Sequence, residues 1–190
     1  MQNYLKSVQL QFQYYRKLGD RSFAQLNDEQ LFWAPKANDN SIGVIVKHLW
    51  GNMMSRWTDF LTTDGEKEWR QRDAEFEADI KDRQELLAKW NEGWDCLFAA
   101  LDSINEGNFD SVVYIRNQGH SIVEAVNRQL AHYAYHVGQI VFLAKMIQGE
   151  DWQSLSIAKG ASKDYNAEKF AQEKRQEHFT KEFLDDSESS

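Results

Sequence analysis

The apolar residues of this chain recur at helical rather than strand spacing. Leu5, Val8, Phe12 and Tyr15 stand at i, i+3, i+7 and i+10 with polar residues between them, which predicts a first helix over about residues 2–25. The run Ile42-Gly-Val-Ile-Val-Lys-His-Leu-Trp50 is apolar nearly all round, which predicts a deeply buried second helix over about 42–61, with Ser41 as its N-cap. Leu86, Leu87, Trp90, Trp94, Leu97, Phe98, Leu101 and Ile104 form a broad stripe on a third helix, about 80–105, and Cys96 falls inside it as a small core residue. Ser121-Ile-Val-Glu124 fits a capping box and opens a fourth helix that runs to Gln148 and stops at Gly149.

The segments between these helices read differently. In residues 26–41, Asn27 caps one short turn, and Ala34-Pro35 blocks helix continuation. Residues 62–80 are a long crossover; Trp69 and Phe76 within it call for a surface to pack on. Val112-Val-Tyr-Ile115 has strand composition but no evident partner. From about residue 166 the chain alternates in charge to its acidic end, which predicts a solvated helix or a tail that frays over its last few residues. One proline and ten glycines in 190 residues leave few breakers. The expected fold class is all-α: a four-helix bundle over 1–165 with a long crossover between the second and third helices, then a charged tail over 166–190.

Charge narrows the partners. With 22 Lys+Arg against 30 Asp+Glu the formal charge is −8, unsuited to the phosphate backbone of a nucleic acid or to an anionic lipid surface. No stretch approaches the ~18 consecutive apolar residues of a membrane span. The start lacks the basic and apolar regions of a signal peptide, and a lone cysteine excludes an internal disulfide. A cytoplasmic protein acting on a small molecule is expected.

The sharpest local feature is His132-Tyr-Ala-Tyr-His136. Residues four apart on a helix stand one above the other, about 6 Å between Cβ atoms, so both imidazoles can reach one ion at ~2.0–2.1 Å. Spacing alone is weak, since about one chain in ten with five histidines shows it by chance. The pair lies among Leu130, Val137 and Ile140, however, and buried imidazoles need a hydrogen-bond partner or a metal. His48, in the most apolar helix, is the natural third ligand, and Asn52 follows one turn later. On spacing alone, a metal site and a set of ordinary core histidines both stand. His120 reads as a loop or cap residue and His178 as a solvated tail residue.

Other motifs are missing from the sequence. There is no general-base Glu after His132, no P-loop, no Gly-x-Ser-x-Gly elbow and no Glu-x-x-His pattern at either paired histidine. Three neutral imidazoles without a carboxylate would leave an ion its full charge and an open position, and they suit Zn, Ni, Cu or Fe.

The stretches Asn40-Ser-Ile-Gly-Val-Ile-Val-Lys-His-Leu-Trp-Gly-Asn52, Ser55-Arg-Trp-Thr-Asp-Phe-Leu-Thr-Thr-Asp-Gly-Glu-Lys67, Asn127-Arg-Gln-Leu-Ala-His-Tyr-Ala-Tyr-His-Val-Gly-Gln139 and Leu155-Ser-Ile-Ala-Lys-Gly160 resemble the DinB/YfiT-like superfamily of metalloenzymes, in a branch known mainly as a domain of unknown function. The resemblance covers about residues 1–165. It implies an up-down-down-up bundle, often dimeric, whose ligands are one histidine of the second helix and an i, i+4 pair of the fourth. Here those are His48, His132 and His136. It further implies a divalent metal, zinc or nickel, and transfer reactions using a low-molecular-weight thiol such as bacillithiol, mycothiol or glutathione.

Two functional classes follow. One is a metal-dependent thiol S-transferase in which Asn52, Arg56, Arg128 and Gln139 orient substrate and Trp33 with residues 34–41 lines the entrance. The other is a metal-bearing, non-catalytic bundle in stress response or protein interaction. A metal hydrolase with Glu124 or Asp59 as base is a third and weaker reading.

Overall fold

The computed structural model describes residues 1–36 and 38–184. It is mostly helical with one small sheet. Helix α1 (Gln2–Phe23) is followed by the short α2 (Asp28–Phe32), whose Asn27 cap accepts from the Gln30 backbone as its sequence predicts. Helix α3 (Ile42–Trp57) starts at Ser41, whose Oγ accepts the Val44 N–H, and fourteen of its sixteen residues are buried. Helix α4 is Arg83–Asp102 and α5 is Ile122–Gln148. The Ser121/Glu124 capping box and the Gly149 stop of α5 both form as expected. Helix α1 packs on α5 and α3 on α4, with further contacts between α3 and α5 and between α1 and α4.

An aromatic chain ties these helices together. The Phe23 and Trp90 rings lie 5.1 Å apart, Trp90 and Trp94 5.3 Å, and Trp94 and Tyr133 5.9 Å, so side chains of α1, α4 and α5 meet in one core. Rings this close gain about 0.5–1.5 kcal/mol per pair beyond their burial. Close approach of α1 and α4 depends on Gly19, where a Cβ would sit 2.4 Å from the Trp90 ring.

Four details differ from the sequence reading. Helix α3 ends at Trp57 rather than near 61, because Thr58 is extended and Asp59 adopts a positive φ of 48°. Val112–Ile115 (β1) does have a partner, Gln118–Ser121 (β2), in an antiparallel hairpin. Its turn places Arg116 and Asn117 at φ 55° and 59°, a conformation arginine disfavours. The carboxylate of Asp64, far away in sequence, accepts both their N–H groups at 2.8 and 2.7 Å and so holds the turn. Trp69 stays 56% exposed, so the crossover packs through other residues. His178 is half-buried instead of solvated, with Nε2 3.1 Å from Ser7 Oγ of α1.

Beyond residue 161 lie α6 (Ser162–Ala171) and α7 (Lys181–Leu184). Helix α7 rests on α1, where the Tyr14 and Phe183 rings are 5.5 Å apart. The expected fraying of the last few residues falls on 185–190, outside the described residues.

The crossover is fastened to α3. Ser55 Oγ donates to the Gly65 carbonyl at 2.7 Å and accepts the Lys67 N–H. Arg56 also donates to the Gly65 carbonyl, and Lys47 Nζ reaches the Ala74 carbonyl and Asp79. These bonds press residues 65–79 against the face of α3 that carries His48.

Candidate metal centre

His48 projects from α3, and His132 and His136 project from successive turns of α5. The fold brings all three together: their donor nitrogens lie within 4.8 Å of one another. His132 Nε2 is central, 3.4 Å from His48 Nε2 and 3.1 Å from His136 Nε2. Two nitrogens each ~2.0–2.1 Å from a tetrahedral ion would be about 3.3–3.4 Å apart, so these two separations suit shared coordination.

The outward nitrogens fix which atoms face inward. His48 Nδ1 lies 2.8 Å from Glu75 Oε2, and because a carboxylate only accepts, Nδ1 carries the proton. His136 Nδ1 lies 2.8 Å from Gln139 Oε1 and donates likewise. The neutral form of each ring then presents a bare lone pair at Nε2, the arrangement of metal-binding histidines whose other N–H is held by an oxygen acceptor. Two lone pairs converging beside a third Nε2 leave at least one without a proton to accept. A cation satisfies all three, so the residues fit a metal ion.

Burial pushes His132 down to about 3, with His136, His48, Arg56 and Arg70 adding in the same direction. Burial also lowers His136, helped by His48 and opposed by the Gln139 hydrogen bond. Both lie below the ordinary histidine value of about 6.5, so on acidification the unfolded chain takes up protons that the folded chain refuses. The stability these rings contribute to metal-stripped protein is present above about pH 6.5 and lost as pH falls toward the folded-state values. Thermal melts of chelator-treated protein are therefore expected to shift downward between about pH 7 and pH 5. A His132→Gln variant should show a smaller shift; an equal one would contradict the assignment.

Glu75 is the residue that sequence reasoning missed, and it corrects the expectation that no carboxylate stands beside the histidines. It lies on a short 3-10 turn of the crossover and is buried to 4% exposure. Arg70 grips it with two bonds, Nε to Oε1 at 2.7 Å and a terminal nitrogen to Oε2 at 3.0 Å. Burial raises its pKa, but the bonds from His48 and Arg70 outweigh that and hold it below the usual range, so it is a carboxylate. Gly51 makes room for it: a Cβ there would meet Glu75 Oε1 at 2.5 Å. Phe76, next in sequence, stacks on His48 with ring centres 4.9 Å apart, and Tyr135 contacts His136 at 4.8 Å. Glycine one turn after His48 was the only trace of Glu75 in the sequence, and it named no partner.

The four polar candidates are placed unevenly. Gln139 touches His136 directly. Asn52 is buried and accepts from the Tyr133 hydroxyl at 3.0 Å, while that hydroxyl accepts from Trp57 Nε1. Arg56, near the end of α3, is buried against the crossover, bonded to Glu66 and the Gly65 carbonyl. Arg128 is exposed and donates to His120 Nε2 at 3.2 Å. Of the two carboxylates considered as bases, Glu124 is taken up by the α5 cap, and Asp59 lies in the turn that ends α3.

Among the described residues no helix is long and apolar enough to cross a membrane. No curated protein and no solved structure matches this chain. Residues 1–161, which include all three histidines and Glu75, match the family described as "Protein of unknown function (DUF1572)", and the chain belongs to that family.

Proposed function

We propose that this protein is a divalent-metal-dependent thiol S-transferase of the DinB/YfiT-like kind, with His48, His132 and His136 as metal ligands. The observation that carries the reading is the convergence of three Nε2 atoms, two of them oriented by oxygen acceptors on the far side of the ring. In this reading α1, α3, α4 and α5 form an up-down-down-up bundle, which the pairing of α1 with α5 and α3 with α4 supports. The ion is zinc or nickel, the thiol is bacillithiol-like or glutathione-like, the acceptor is a small molecule, and the protein works in the cytoplasm as a homodimer.

A bound divalent ion would supply Lewis acidity, lowering the pKa of a thiol so that a thiolate is available near neutral pH. The transfer itself joins the thiol sulfur to an electrophilic carbon; the leaving group departs with its electron pair and the thiol proton passes to solvent. The chain's own residues set the stage. Glu75 and Gln139 hold two imidazoles in orientation, and the rings of Phe76 and Tyr135 shield them from water. Arg128, one helical turn before His132, is the cation for a thiol carboxylate. Asn52 and Arg56 act through Tyr133 and the crossover rather than on substrate.

A mass-spectrometric screen of several thiols with a generic electrophile should give the conjugate with protein as purified and lose it after chelation. Equal rates in metal-stripped protein would sink the proposal. The non-catalytic metal-binding bundle is the second reading. It is favoured by the full engagement of Glu75 with His48 and Arg70, which leaves that carboxylate no lone role as a base. Metal would then raise the melting temperature while no thiol did.

A further inference from the structure

Five glycines among the described residues lie inside α-helices, and four of them have a steric reason. A Cβ at Gly19 would meet Trp90 at 2.4 Å, at Gly43 Phe32 at 2.8 Å, at Gly51 Glu75 at 2.5 Å, and at Gly93 Met53 at 3.0 Å. Gly138 is different, since nothing lies within 4 Å of the position its Cβ would take. It sits mid-way along α5, where glycine costs about 1 kcal/mol relative to alanine. No contact within the chain offsets that cost.

The open space over Gly138 belongs to a cavity of about 560 Å³, within the range of small-molecule sites. Ile45 of α3, buried, contributes to its lining. Tyr135 and Phe142, 62% and 67% exposed, supply aromatic walls from α5. The connector after α2 supplies the opposite wall, where Asp39 is the one charged residue among those that line the cavity. From the connector, Pro35 and residues 38–40 line this cavity. The cavity borders the histidine cluster, because Gln139 lines it and also binds His136 Nδ1, and Tyr135 lines it and contacts the His136 ring.

The geometry points to this cavity as the binding site for the acceptor substrate, a neutral or cationic aromatic molecule, and not for the anionic thiol. The role as acceptor site rests on the S-transferase reading above; the binding itself does not. Aromatic walls and a floor without a side chain suit a flat ring laid against the helix backbone. A lone carboxylate in the lining attracts a cation and repels an anion. A second copy of this chain would suit the exposed α5 face less well, because the site includes residues of the connector and shares two side chains, Gln139 and Tyr135, with the histidine cluster.

The test uses three naphthalenes of one shape, 2-naphthylmethanol, 2-naphthylmethylammonium and 2-naphthoate, titrated calorimetrically into full-length protein as purified and after chelation. The alcohol and the ammonium should bind with or without metal, and the carboxylate at least about tenfold more weakly. Asp39→Asn should narrow the gap between ammonium and carboxylate. Gly138→Leu should cut binding more than about tenfold by filling the floor, with Phe142→Ala weakening it from the wall side. Absence of binding by every probe, equal binding of the carboxylate, or full binding to Gly138→Leu would overturn the proposal. So would loss of self-association in Gly138→Leu, seen by sedimentation, without any probe binding to the parent. Probe binding in a protein that conjugates no thiol would overturn the S-transferase reading and leave the cavity as a site for this class of molecule.

Discussion

Replacing His132 with alanine is expected to weaken metal binding by more than about 100-fold, beyond the roughly 10- to 100-fold typical when only a ligand's hydrogen-bond partner is lost. The choice of His132 follows from its position, with Nε2 3.4 and 3.1 Å from the other two donors. Its removal leaves only two ligands, His48 and His136, whose ring centres lie 4.8 Å apart. Equilibrium dialysis with elemental analysis of untagged protein measures the affinity. Thermal melts give a second reading, since an ion at about 100 times its Kd adds about 2.7 kcal/mol to the parent and should add almost nothing to the variant. Unchanged metal content in His132→Ala, with the parent loaded, would remove the three-histidine centre from further consideration.

The second large effect is expected at Glu75. Glu75→Leu strands Arg70, whose side chain is 2% exposed and whose remaining carboxylate partner, Glu66, sits farther off at 3.3 Å. Breaking a buried ion pair from one side costs about 3–5 kcal/mol, because the surviving charge stays desolvated. The same change frees His48 Nδ1 from the acceptor that fixes its proton, so metal affinity should fall about 10- to 100-fold. Glu75→Gln keeps an oxygen for His48 and removes only the charge facing Arg70, so it should retain more metal affinity than stability. Urea unfolding and metal titration on both variants separate these effects. A stability loss with metal affinity untouched would make Glu75 a strut of the crossover and nothing more.

The helices were legible for local reasons. Caps at Asn27, Ser41 and Ser121, the stop at Gly149 and the apolar stripes act within a few residues, so spacing along the chain reports them directly. The His132/His136 pair belongs to the same class, since helical geometry alone stacks residues four apart. The hairpin was legible only in half. The composition of Val112–Ile115 marks a strand, but the turn that pairs it is held by Asp64, 52 positions from Arg116.

The meeting of His48 with the pair required α3 to pack on α5, and the carboxylate behind His48 required a charged crossover to fold back on α3. Glu75 carries no periodicity and stands 27 positions from His48, so nothing near it in the chain marks it out. Its role exists because Gly51 leaves space and Arg70 balances its charge at a distance of 2.7 Å. The cavity beside His136 is likewise a product of assembly, made where the connector after α2 comes to rest across Gly138. Short-range hydrogen bonding and helical periodicity are written in the order of residues; desolvated charge pairs and surface clefts arise only once distant segments come to lie side by side.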